Sequence, residues 1–92
     1  MPYSYQKERP FVFTEDGVDK TLKIYDRFKK LFKVAGACMY YELTANVSGD
    51  TWETLACVDY LEEKEKIKCV NPDAITQYRV YTLPYAELLE EL

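Results

Sequence analysis

Between Val18 and Phe32 the apolar side chains Leu22, Ile24, Tyr25, Phe28, Leu31 and Phe32 fall at helical spacings of three and four. That period predicts an amphipathic helix, which must bury its apolar stripe against other elements. Thr14-Glu15-Asp16-Gly17 marks a turn and the helix start, with the acidic pair placed well for the helix dipole. The opposite face carries Lys20, Lys23, Arg27, Lys29, Lys30 and Lys33 against Asp19 and Asp26, and it is the one clearly basic surface of the chain.

Before this helix, Met1 to Phe13 shows no sustained helical period and carries Tyr3, Tyr5, Phe11 and Phe13 with Pro2 and Pro10. It reads as an extended arm, residues 1–13, that packs aromatics on the domain and ends in a short strand at Phe11-Val12-Phe13. After the helix, Val34-Ala35-Gly36-Ala37 breaks the pattern as a tight turn or a very short strand. A second helix is expected from about Cys38 to Ala45, turning Met39, Tyr40, Leu43 and Val47 inward. Asn46 and Ser48-Gly49-Asp50 make a turn. Asp50, with Glu53 three residues on, opens a third helix that runs to about Lys64.

Beyond Glu65 the pattern alternates. Lys66 to Cys69 reads as one strand and Tyr78 to Leu83 as a second, with Asn71-Pro72-Asp73-Ala74 turning the chain between them. Pro84 ends this hairpin and starts a short helical tail, residues 84–92. At 92 residues the chain fits one compact domain, here residues 14–83, since a chain of this size buries roughly two thirds of its unfolded surface. The expected class is α+β: a three-helix core, a C-terminal β-hairpin and a short C-terminal helix.

That order, with Leu61-Glu62-Glu63-Lys64-Glu65-Lys66-Ile67 leading from a helix into a strand, resembles the winged-helix superfamily, or winged helix-turn-helix, of small transcription regulators. The resemblance covers residues 14 to 83 and lies in pattern and order of elements. It implies that Thr54, Cys57, Val58 and Leu61 fill the inward face of a recognition helix. It also implies that Trp52, Glu53, Ala56, Asp59, Tyr60 and Glu63 project outward, where a DNA-binding member meets the major groove, and that Asn71 to Thr76 form the wing tip.

Charge placement departs from that pattern. Between Asp50 and Glu63 there is no Lys or Arg, and Asp50, Glu53, Asp59, Glu62 and Glu63 are all acidic, in a chain of net charge −4. Phosphate contacts dominate DNA affinity, and bases are read by Arg, Lys, Asn and Gln, none of which lies on this helix. The favoured expectation is therefore a regulatory protein-binding module, with Trp52, Ala56 and Tyr60 on one stripe of an acidic and aromatic face; the bland alternative packs Trp52 into the domain beside Leu55. The competing expectation is a DNA-binding regulator using Lys20, Lys23, Arg27 and Lys30 on the first helix, with Lys68 and Arg79 from the wing. Against it stand the spacings Asp19/Lys23 and Asp26/Lys30, which read as ordinary helix-surface ion pairs. In the tail, Tyr85, Leu88, Leu89 and Leu92 form a stripe that docks on its own domain or pairs with a second copy as a homodimer.

An enzyme is disfavoured. The chain has no His, no glycine-rich phosphate loop and no nucleophile motif, and its paired carboxylates Glu62-Glu63 and Glu90-Glu91 are sequence neighbours that diverge on a helix. No cofactor, small-molecule substrate or metal site is indicated. Cys38, Cys57 and Cys69 are odd in number and lack CxxC spacing, so they read as buried free thiols. No stretch resembles a secretion signal or a membrane span, and the expected location is the cytoplasm.

Overall fold

The computed structural model describes residues 2–84, and over these the fold is α+β. A one-turn helix α1 (Tyr5–Glu8) runs into a 3₁₀ segment at Arg9–Phe13, followed by the long helix α2 (Glu15–Ala35). A two-residue strand β1 (Cys38–Met39) precedes the short α3 (Tyr40–Leu43) and the helix α4 (Thr51–Glu63). Strand β2 (Lys68–Cys69), a 3₁₀ turn at Thr76–Tyr78 and strand β3 (Val80–Thr82) complete it.

Helix α2 begins where Thr14 caps it, its hydroxyl accepting from the Gly17 N–H at 3.0 Å, and ends at Gly36 in the left-handed conformation (φ 75°). Its buried residues are Gly17, Thr21, Ile24 and Phe28. Leu22 is 62% exposed, contrary to the expected stripe, because at 3.6 residues per turn it stands about 200° around the helix from Ile24. Helix α4 begins at Asp50, whose carboxylate accepts from the N–H groups of Trp52 (2.7 Å) and Glu53 (3.2 Å). Thr54, Leu55, Ala56, Cys57, Val58 and Leu61 are all buried, so α4 is the central helix, covered on more than one side. Helix α2 packs against one side and the Arg9–Phe13 turn against another.

The strands form a three-stranded antiparallel sheet in the order β1-β3-β2, with Cys38 opposite Tyr81, Met39 opposite Val80, and Cys69 also opposite Tyr81. Tyr81 is therefore the centre of the sheet and is fully buried. The core runs from Ile24 and Phe28 of α2 through Cys57, Val58 and Leu61 of α4 to Tyr40, Leu43, Ile67 and Tyr81.

Several expectations are corrected. The N-terminal arm is not extended and contains no strand: residues 5–13 are helical, because Val12 turns into the core (2% exposed) while Phe13 stays 57% exposed. Cys38 and Met39 form a strand where a helix was expected, since they pair with β3. The two expected strands do pair, as β2 and β3, but both are shorter than expected, and the connection between them runs through residues 70–79, beyond the turn expected at Asn71-Pro72-Asp73-Ala74. There Asn71 acts as a hub: its side-chain oxygen accepts from Val80 N–H at 2.7 Å and its amide donates to the Tyr78 carbonyl at 3.3 Å. Tyr78 thus belongs to a 3₁₀ turn and not to the strand. All three cysteines are buried free thiols, as expected. No helix among the described residues is long and apolar enough to cross a membrane. The tail residues Tyr85, Leu88, Leu89 and Leu92 lie outside the described residues.

Candidate functional site

The outward face of α4 gathers Trp52, Asp59, Tyr60 and Glu63, with Glu53 half-buried at its edge. Asp59 and Glu63 stand one turn apart, as do Trp52 and Ala56, and Ala56 and Tyr60. Ala56, expected to project outward, is fully buried, because this face is covered by the chain's own N-terminal segment.

Aromatic and cationic side chains make that cover. Tyr3 meets Trp52 edge-on, with ring centroids 6.2 Å apart, and Phe13 meets Tyr60 edge-on at 5.4 Å. The Tyr3 hydroxyl donates to Asp59 Oδ2 at 2.7 Å and the Tyr5 hydroxyl to Glu63 Oε1 at 2.6 Å. Arg9 forks onto Glu63, Nε to Oε1 at 2.9 Å and Nη2 to Oε2 at 2.8 Å. Its guanidinium also lies 4.9 Å from the Phe13 ring centre and 5.7 Å from that of Tyr60. Trp52 keeps 37% of its surface exposed, and the ring it meets is that of Tyr3.

The electrostatics follow the contacts. The Arg9 fork and the Tyr5 hydroxyl hold the Glu63 carboxyl down at about 2. Burial pushes the Asp59 carboxyl up, and the hydrogen bond from Tyr3 offsets only part of that shift. Tyr3 and Tyr5 are both pushed well above the ordinary phenol value, by burial first and then by the carboxylates they donate to.

No protein-family model, no curated protein and no solved structure matches the chain.

Of the cations assigned to a possible nucleic-acid face, all but Lys68 have partners within the described residues. Lys20, Lys23, Arg27 and Lys30 do come together, along a groove of about 620 Å³ between α2 and the turn before α4, but Asp16, Asp19 and Asp26 line the same groove. Lys23 pairs with Asp19 and Lys30 with Asp26, each at 3.0 Å, as their spacing predicts. Lys20 donates to Thr54 Oγ1 at 3.3 Å and lies over the Phe11 ring, while the Arg27 guanidinium donates to the Glu42 carbonyl. Lys68 and Arg79 do not join this groove. Lys68 is exposed on β2, and Arg79 donates to the Ala74 carbonyl at 3.4 Å.

Sequence reasoning assigned no site role to Tyr3, Tyr5, Arg9 or Phe13, although it expected the arm's aromatics to pack on the domain. The available signal was charge complementarity. Arg9 lies among aromatic residues, and α4 offers carboxylates with no cation of its own.

Proposed function

We propose that this chain is a non-enzymatic, regulatory protein-binding module of the winged-helix type, and that it engages its partner through the acidic and aromatic face of α4. The order helix, short helix, turn, helix and then paired strands supports the winged-helix reading, with residues 70–79 in the place of a wing. The observation that carries the functional reading is the pairing on α4 itself. A face without a single Lys or Arg holds an arginine that forks onto a carboxylate and lies against two rings, the chemistry of protein recognition and the opposite of what a phosphate backbone requires. On this reading the basic face of α2 is diluted for DNA, because Asp19 and Asp26 stand against Lys23 and Lys30 on it.

Fluorescence anisotropy of a labelled duplex of about 30 base pairs, titrated with protein at low salt, tests this directly. The expected result is no binding at protein concentrations up to about 10 micromolar. Tighter binding that weakens steeply with added salt would overturn the reading in favour of a DNA-binding regulator working through α2 and Lys68.

A further inference from the structure

We infer that residues Tyr3–Arg9 are a removable occupant of the α4 face, and that the face accepts in their place a partner-protein segment carrying an arginine close to tyrosines. This rests on the protein-binding reading and names the chemistry of the partner.

The N-terminal segment is anchored unequally along its length. From Phe11 onward it is built into the domain. Val12 is in the core, the Thr14 hydroxyl donates to the Phe11 carbonyl at 2.7 Å, and α2 approaches so closely that a Cβ on Gly17 would fall 1.9 Å from the Phe11 oxygen. Before Arg9 the anchoring differs. Helix α1 has no buried residue, and its N-terminal backbone hydrogen bonds are local, from the Lys7 and Glu8 N–H groups to the Ser4 carbonyl. What holds it to α4 is a set of side-chain contacts, from Tyr3, Tyr5 and Arg9 to Trp52, Asp59, Tyr60 and Glu63. The Arg9–Glu63 fork is about one-third exposed on each side, so solvent and a competing arginine can reach the contact that ties the segment down. Tyr3 and Tyr5 pack against the outside of the core and none of the segment's residues is part of it, so the segment can lift while Val12 and the core behind it stay in place.

The vacated face would require a replacement of the same chemistry. Asp59 would lose its phenol donor in a half-buried setting, Glu63 would lose its arginine, and the rings of Trp52 and Tyr60 would lose their cover. Arg, Tyr and Trp are the residue types that dominate binding energy at interfaces, and here they already meet within one chain. A partner must compete with the resident segment, so its apparent affinity is reduced by the fraction of molecules whose face is closed.

A labelled peptide with the sequence of residues 2–10 is the probe, titrated by anisotropy against the full-length wild type and a full-length variant carrying Tyr3→Ala, Tyr5→Ala and Arg9→Ala. The variant should bind the peptide about tenfold or more tighter than the wild type, and adding Glu63→Lys should abolish that gain. Arg9→Glu alone, which keeps every ring and repels Glu63, should show the same direction and serves if the triple variant unfolds. Equal, weak binding by wild type and a folded variant would overturn the inference, as would a variant that self-associates in sedimentation without taking up peptide. Absence of both duplex and peptide binding would remove this inference and leave the protein-binding reading standing. Peptide binding together with salt-sensitive duplex binding would remove that reading and leave a displaceable segment.

Discussion

Asp59 and Glu63 lie one turn apart on the same helix face, yet their carboxyls shift in opposite directions, and the difference is solvent and partner. Glu63 is exposed and accepts three donors from Arg9 and Tyr5, so its folded-state value falls from 4.5 to about 2. A depressed value means that the contribution to stability is complete above 4.5 and is lost as pH falls toward about 2. Glu63→Gln should melt below wild type at pH 7, and the gap should close across that window in a series of thermal melts. Asp59 works the other way. Its folded value is raised above 3.8 chiefly by burial, so its charge costs stability at neutral pH and nothing once both states are protonated. Asp59→Asn still offers an oxygen to the Tyr3 hydroxyl, so it should melt above wild type at pH 7, with the difference vanishing below about 3.8. A variant less stable than wild type at pH 7 would contradict this account of Asp59.

At the scale of elements, the junction between the Arg9–Phe13 turn and α2 is fixed by backbone proximity more than by side-chain burial. Gly17 lies inside a helix, where alanine would ordinarily gain about 0.5–1 kcal/mol. Here the added methyl would sit 1.9 Å from a carbonyl oxygen of residue 11, an atom that cannot swing away, so the clash decides the sign. Gly17→Ala should destabilise by roughly 3 kcal/mol, the upper end of overpacking costs, measured by urea unfolding. The two long helices were legible from sequence, because Thr14 and Asp50 cap them visibly and their apolar periods are sustained. Strand β1 was not: two residues carry no alternation, and their partner Tyr81 lies far along the chain. Helix α1 left only one turn of signal. Leu22 and Ala56 were misassigned in opposite senses for one reason. A periodic pattern places a stripe on a helix but does not say which neighbour covers which sector, and the neighbour covering Ala56 is a segment whose own shape was not legible. The composition of the α4 face was therefore legible in sequence, while its occupancy was not.

For the molecule as a whole, burial and charge set what reaches it from solution. Cys38, Cys57 and Cys69 are each less than 5% exposed, and burial pushes the Cys38 thiol up to about 12 and raises Cys57 as well. Ellman's reagent should leave all three thiols unmodified in the native protein and titrate all three in denaturant; rapid reaction of any native thiol would contradict the packing described. On the proposed reading, the net charge of −4, the acidic α4 face and the pairing of Lys23 and Lys30 with carboxylates disfavour polyanions and suit cationic, aromatic protein surfaces. That conclusion depends on how the N-terminal segment lies across α4. Proton–proton Overhauser contacts to the side chain of Trp52, the single tryptophan, test that arrangement most directly. The account predicts cross-peaks between the Tyr3 ring and the Trp52 indole and between the rings of Phe13 and Tyr60. A well-folded protein lacking both would contradict it.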